Sequence, residues 1–391
     1  MLYPAATHKR FEHSLGVMEL AGRVFDSVTD SEKVTGSIRD SIDELRRPSK
    51  LEYWRSVVRM AALCHDMGHL PFSHAAEKEL LPVGWDHERL TREIIRSEEL
   101  GAIFRESRPT LIAEDIEKLA VGPRKAKGLQ FTQWETILSE IIVGDAFGVD
   151  RMDYLLRDSY HLGVPYGRFD HFRLIDTLRI LPSGDGGSEP SLGVELGGLD
   201  SAEALLLGRY YMYSQVYIHP TRRIYDIHLK DFLAAWLPGG KFPTDIPSHL
   251  ARTDNEVFAG ILLASSDSTC PGHDAARRVA EHDHFKLLYQ RHPVDIRVNP
   301  EAGTAIYKAA VAHFGEANVR RDSFGQSRDA NRFPVLYKDG RLGVADEASV
   351  VLQHLPLVTT DFVFIHPDSM TAAQAWLVKN RGDLIRASGE K

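Results

Sequence analysis

Two cysteines, Cys64 and Cys270, are all that the 391 residues contain. That excludes a disulfide framework and points to a reducing compartment. No apolar run approaches the roughly 20 residues that a membrane-spanning helix needs. The first residues also lack a signal-peptide core, so the expected location is cytoplasmic, with no membrane partner. Positive charge is not in excess either: the net charge is −8, which argues against a duplex nucleic-acid binder. Single-stranded nucleic acid stays open only through a groove at an oligomer interface and is not favoured. Internal repeats, low-complexity runs and a glycine-rich phosphate loop are all missing. What remains is an ordinary globular composition, 43% hydrophobic and 26% charged, in a chain long enough for about two domains.

Histidine is what the chain concentrates. Between Trp54 and His87 the sequence reads WRSVVRMAALCHDMGHLPFSHAAEKELLPVGWDH. Trp54, Val57, Val58, Ala61 and Ala62 recur at helical spacing, which predicts one apolar stripe facing a core. His65 is the next position on that stripe, and Asp66 follows it. Burying such a pair without a partner costs several kcal/mol, on the order of a lost ion pair, and a metal ion is the partner that uses both groups. Gly68 and Pro71 are expected to break the helix, and His69, His74 and His87 follow. A lone inward histidine is more often a hydrogen-bonded core residue; several histidines and an aspartate around one helix break favour a site. Cys64 reads as a small core residue.

Further ligands must come from elsewhere. Helical character begins near Phe11, and His13 lies just before the apolar series Leu15, Met18, Val24 and Phe25, so it is a candidate ligand. Ser73 is expected to cap a helix that places His74 and Glu77 three apart, with the carboxylate orienting the imidazole. Asp86 is expected to cap the helix that begins with His87. Asp150, Tyr154, Arg157, Asp158 and His161 share one helix face. Such a face is commonly a solvated surface; the functional reading makes it a polar wall opposite the histidines, with Asp150 as the anionic ligand.

Residues 182–190 form a turn cluster, and a strand is expected before a long helix that Pro220 kinks or splits. The tyrosines at 210, 211, 213 and 217 read as core or interface by default. After a break near 238–249, helices are expected at 254–264, 274–291 and 301–314, with short strands at 293–299 and 334–337. Asp339-Gly340 suits a hairpin turn, VTTDFVFIHP a strand, and the last apolar stretch a closing helix. The chain is thus read as mainly α, with a helical core over 1–237 and a smaller α+β region over 238–391.

The ordered pattern His13, His65-Asp66, Asp150 resembles that of the HD-domain metal-dependent phosphohydrolases. The surrounding text is more specific than the dipeptide. HKRFEHSLGV, CHDMGHLPFSH, WDHE and VDRMDYLLRDSYHLGV together resemble the deoxynucleoside triphosphate triphosphohydrolase branch, over about residues 1–235. The resemblance implies an HD-domain helical core. It implies that His13, His65, Asp66 and Asp150 hold a divalent metal ion (iron, manganese, magnesium, zinc or nickel). His74, Glu77 and His87 would be the acid–base group. Arg10, Arg151, Tyr154 and Asp158 match positions lining the substrate pocket, and Arg209 and Tyr217 match a phosphate contact and a residue packing on the sugar. The implied reaction converts a deoxynucleoside triphosphate to deoxynucleoside and inorganic triphosphate. The implied partners are deoxynucleoside triphosphates, an activating nucleotide, and further copies of the chain in a dimer or tetramer.

There are three departures. The family commonly has aspartate where Glu77 stands. Gly148 occupies a position where relatives often have aspartate. The first histidine comes almost at the start, so either the start is truncated or part of the nucleotide-sensing machinery is absent. Two readings compete. One is another HD-type phosphohydrolase, acting on a cyclic dinucleotide, an alarmone or a nucleoside monophosphate. The other is a nucleotide-sensing protein without turnover.

Overall fold

The computed structural model describes residues 3–73, 77–182, 189–326 and 332–386. It is mainly helical, with two small sheets. The core forms around two helices, Arg10–Val28 and Pro48–Cys64. The second starts with proline at its first turn, where the missing N–H is no loss. Val57, Val58, Ala61 and Ala62 are fully buried. Small and β-branched residues on this stripe let the first helix approach closely and cover it with Val17, Ala21 and Val24. Burying each such valine contributes roughly 1.5–3 kcal/mol. Helices Ala113–Val121, Gln133–Val143 and Val149–Leu162 complete the same core through Ile116, Leu119, Ile137, Ile141, Met152 and Leu155.

The Pro48–Cys64 helix ends one residue before His65, which is its C-cap. The break therefore precedes Gly68 rather than being made by it. Gly68 has a different task. A Cβ there would lie 2.2 Å from the His87 carbonyl oxygen and 2.3 Å from the Thr91 nitrogen. The absence of a side chain lets this turn press against the backbone of the His87–Ile95 helix, and Thr91 ties the two by accepting the Gly68 N–H and donating to the His65 carbonyl. Asp86 caps that helix, accepting from the Arg89 N–H at 2.8 Å. The start of the helix that Ser73 is expected to cap lies outside the described residues; Ser73 itself has a positive φ of 56° and receives a hydrogen bond from Arg10, and the helix described beyond it covers Glu77–Leu80.

The strands are β1 (Leu178–Leu181), β2 (Ser191–Glu195), β3 (Lys286–Gln290), β4 (Val319–Gly325), β5 (Pro334–Leu336), β6 (Leu342–Val344) and β7 (Thr359–Ile365). One sheet has the order β1-β2-β5-β6 and the other β3-β7-β4. In the first, β2 and β5 are parallel with Val194 opposite Val335, so residues beyond 238 return to pair with the earlier part of the chain. Phe333, Val335, Ala345 and Leu352 belong to the same core cluster as the first helices.

Two local expectations change and one holds. The helix placed at 274–291 ends at Ala280; His282 turns the chain with a φ of 61°, and the alternating KLLYQ forms β3. Residues 293–298 are helical, not extended, because Pro293 opens the helix and Asp295 accepts from the His292 N–H at 3.1 Å. Pro220 splits the long helix as expected: Leu199–Met212 and a π-helical turn end before it, and Pro220–Trp236 starts on it.

Candidate active site

Four side chains from two helices and one turn converge. His13 comes from the first helix, His65 and Asp66 from the turn after the second, and Asp150 from the Val149–Leu162 helix. His13 Nε2 lies 3.2 Å from Asp150 Oδ1 and 3.7 Å from Asp66 Oδ2. His65 Nε2 lies 3.3 Å from Asp66 Oδ1 and 3.5 Å from Asp150 Oδ1. The far side of each imidazole is fixed. His13 Nδ1–H donates to Asp153 Oδ2 at 2.7 Å, and His65 Nδ1–H donates to the Ala62 carbonyl at 2.7 Å. Both rings therefore turn Nε2 toward the two carboxylates.

His65 Nε2 is buried and makes no hydrogen bond. Two imidazole nitrogens facing two carboxylates call for positive charge among them, either protons or a cation, and they make the donor set of a divalent site. His13, His65 and Asp66 each bring a ligand atom within 4.8 Å of the others. The residues present fit a divalent ion. The field at this point is strongly negative. Burial would lower the pKa of His13, but Asp150 and Asp153 outweigh it and push the imidazole up to about 10. Burial would raise Asp66, but His65, His69 and Arg10 hold it well below the usual carboxylate range.

Beside this group, the His87 N–H donates to Glu77 Oε1 at 2.8 Å and His87 Nδ1–H donates to the same carboxylate at 2.8 Å. The His87 ring stacks on His69 with centres 4.0 Å apart. His69 Nε2 is 3.3 Å from Asp66 Oδ1, so His69 links the two clusters. Burial and the charge of Arg10 lower its pKa to about 4 against the pull of Asp66, which keeps it neutral. His74, the third residue expected in this group, lies outside the described residues.

The other sequence-predicted residues fall into two places. Arg10 donates to Asp66 Oδ2 at 2.6 Å, so it rests on the cluster itself. Arg151 donates to the Gly144 carbonyl and to Asp145 Oδ1 at 3.2 Å, and lines a cavity of about 590 Å³ that also touches His65, Asp66, His87, Asp150 and Arg124. On the other side, the Tyr217 hydroxyl donates to Asp158 Oδ2 at 2.7 Å and His8 Nε2 is 2.8 Å from Asp158 Oδ1. Tyr154 meets Tyr217 edge to face at 6.0 Å. Burial, Tyr213 and Asp150 hold its hydroxyl well above the ordinary range. Arg209 packs its guanidinium 5.8 Å from the Tyr213 ring, with Nε buried and unbonded.

Sequence reasoning counted His69 among the clustered histidines but gave it no role, and passed over Asp153 and His8. His69 was visible as a histidine four after His65, and Asp153 as a second acid three after Asp150, but neither spacing alone tells a supporting partner from a surface charge. The glycine at 148 has a steric cause. A Cβ there would lie 2.6 Å from the Gly144 oxygen and 2.7 Å from the Ile142 oxygen, so an aspartate has no room in this backbone.

The HD domain family model matches residues 10–121 and the HD associated region matches residues 169–300. An uncharacterized protein of Methanocaldococcus jannaschii is 34% identical over 230 residues, covering 59% of this chain and 40% of that protein. The deoxynucleoside triphosphate triphosphohydrolase SAMHD1 of Gallus gallus is 26% identical over 336 residues, covering 77% of this chain and 51% of that protein. The chain thus spans about half, or less, of the length of these curated relatives. The crystal structure of a hypothetical protein from Aquifex aeolicus superposes with a TM-score of 0.76 at 30% identity, covering 96% of this chain and 88% of that one. With the imidazole–carboxylate cluster in place, these matches establish that the chain belongs to the HD-domain family, its HD domain followed by an HD-associated region.

Proposed function

We propose that the chain is a metal-dependent phosphohydrolase that converts deoxynucleoside triphosphates to deoxynucleoside and inorganic triphosphate. The observation that carries the reading is the convergence of His13 and His65, each with Nε2 turned inward, on the carboxylates of Asp66 and Asp150. The motif text around these residues and the triphosphohydrolase among the relatives support the substrate class.

His13, His65, Asp66 and Asp150 would hold the divalent ion, which when bound supplies Lewis-acid polarisation of phosphoryl oxygens. Arg10 and Arg151 flank the same point and neutralise the phosphate chain by charge-assisted bonds, with Arg209 a further contact. Water attacks the α-phosphorus, the bond to the 5′ oxygen breaks, and that oxygen takes a proton. The acid–base group is His74, Glu77 and His87. Glu77 fixes Nδ1 of His87 and so sets the orientation of the ring within this group. Asp158, tied to Tyr217 and His8, forms the sugar end of the pocket. Tyr154 packs near C2′ and disfavours a ribose hydroxyl. An activating nucleotide and a homodimer or homotetramer belong to the same reading, as does a cytoplasmic location. Among the described residues, no helix is long and apolar enough to cross a membrane.

The test is a panel of the four deoxynucleoside triphosphates, singly and mixed, with product identification. Inorganic triphosphate is the expected product. Monophosphate plus pyrophosphate places the cleavage elsewhere. Turnover only of cyclic dinucleotides, alarmones or monophosphates selects the competing enzyme reading, and tight binding without turnover selects the sensing one.

A further inference from the structure

A second cleft, of about 990 Å³, is walled by the Pro220–Trp236 helix, the His273–Ala280 helix, the loop before it and the start of β4. It shares no lining residue with the cavity at His65 and Asp150. At its floor lies Phe285, 2% exposed. Two guanidinium groups from different elements pack on this one ring: Arg278 at 4.6 Å and Arg320 at 5.3 Å from its centre. His228 and His366 meet the same ring edge to face at 5.2 and 5.3 Å.

The two arginines are held by main-chain oxygens rather than by tight carboxylate pairs. Arg278 donates to the Asp283 carbonyl at 3.3 Å, and Arg320 donates to the carbonyls of Glu316, Ala317 and Val319. The nearest carboxylate to Arg320 is Asp231, at 3.6 Å, longer than a hydrogen bond. Carbonyls orient a guanidinium without cancelling its charge. Burial, with Arg277 and Arg320 nearby, lowers the Arg278 pKa against the pull of Asp283 and Asp274, which agrees with two like charges facing one space. His228 adds no charge: Nε2 accepts the Phe285 N–H at 3.2 Å, and burial lowers its pKa to about 3. The first turn of the His273–Ala280 helix lines the same cleft through His273, Asp274 and Ala275, which brings the positive end of a helix dipole to it. Ser268 stands exposed at the rim.

We propose that this cleft binds a phosphorylated small molecule, with the phosphate between Arg278 and Arg320 and against the first turn of the His273–Ala280 helix. Two forks on separate elements suit a multivalent oxyanion better than a single carboxylate. The volume leaves room for more than the phosphate alone. This site stands independently of the reaction assigned above.

The experiment is isothermal titration of the full chain with inorganic triphosphate, repeated on Arg278→Gln, Arg320→Gln and Asp150→Asn. Two classes of site are expected in the unaltered chain. Arg278→Gln or Arg320→Gln weakens one class by about tenfold or more, on the scale of a lost charge-assisted bond, and leaves the class that Asp150→Asn affects. If the active-site reading fails, a single class remains, still lost in Arg278→Gln. Ser268→Glu, on an exposed rim, places repulsive charge beside the phosphate without touching the core and should weaken the same class. No binding by the unaltered chain, or isotherms unchanged in Arg278→Gln, Arg320→Gln and Ser268→Glu, overturns the proposal.

Discussion

Asp153 accepts the Nδ1–H of His13 at 2.7 Å on Oδ2 while Arg157, one turn further along the same helix, donates to both oxygens of that carboxylate in two bonds of 2.8 Å. Asp153 is buried, so the imidazole has a fixed orientation and a fixed tautomer. The partner behind a ligand sets its basicity as well as its direction. Asp153→Asn should therefore lower the affinity for a divalent ion about 10- to 100-fold, although Asp153 faces away from the ion. Ion affinity measured by competition with a chelating dye checks this. Unchanged affinity would reduce Asp153 to a packing role.

Glu77 binds His87 twice, through the backbone N–H and through Nδ1. Glu77→Gln keeps the size of the side chain and removes the charge that holds the ring. Turnover should fall by about 10²-fold or more, the scale of a misplaced acid–base group, while ion content stays at the unaltered level. Steady-state kinetics with metal analysis on the same preparation separate the two. Loss of the ion in Glu77→Gln would instead make this carboxylate a ligand, as the proximity of His69, Glu77 and His87 ligand atoms within 4.8 Å allows.

Gly68→Ala tests the close approach that sets His87 beside the cluster. The new methyl group meets backbone atoms at 2.2 and 2.3 Å, which cannot rotate away as a side chain can. A loss of about 1–3 kcal/mol or more is expected from overpacking, with a fall in turnover as His87 moves. Gly36→Ala, in a helix with nothing within 4 Å of the added carbon, should be neutral or gain up to about 1 kcal/mol. Urea unfolding of the two variants side by side gives the comparison.

Glu140, in the wall of the same cavity as Asp150 and Arg151, supplies a further pH dependence. Burial is the main cause that pushes its carboxyl up to about 7, against the Leu192 N–H that it accepts at 2.9 Å. The folded pKa exceeds the unfolded value of about 4.3. The group therefore takes nothing from stability at acid pH, costs progressively more as pH rises between the two values, and has its full cost above about 7. Glu140→Gln should stabilise the chain by about 1–3 kcal/mol at pH 8 and leave it unchanged near pH 4. Thermal unfolding of both proteins across that range checks the sign; a gain that is larger at pH 4 would reverse it.

The sequence makes the helical frame legible where one face is apolar. Val57, Val58, Ala61 and Ala62 predict both the helix and its buried side, and His65 at its end is found facing the core. Local chemistry also shows through at Asp86, whose capping role follows from residue type and position. The first sheet is not legible in the same way, because β2 pairs with β5 across more than a hundred residues and no local pattern encodes a distant partner. Residues 286–290 look helical as part of a longer run, yet the turn at His282 resets the period and pairing with β7 makes them a strand. At the site, the residues that face the cluster can be read from motif spacing. Asp153 and His69 cannot, since their roles depend on which neighbour each side chain meets in three dimensions.

The central claim is that His13, His65, Asp66 and Asp150 together hold one divalent ion. Elemental analysis of the purified chain beside His65→Ala and Asp150→Ala, with folding checked by circular dichroism, tests it most directly. The account predicts about one ion per chain in the unaltered protein, on the ligand count of such a site, and a near-complete loss in both folded variants. Ion content unchanged in either folded variant would contradict it.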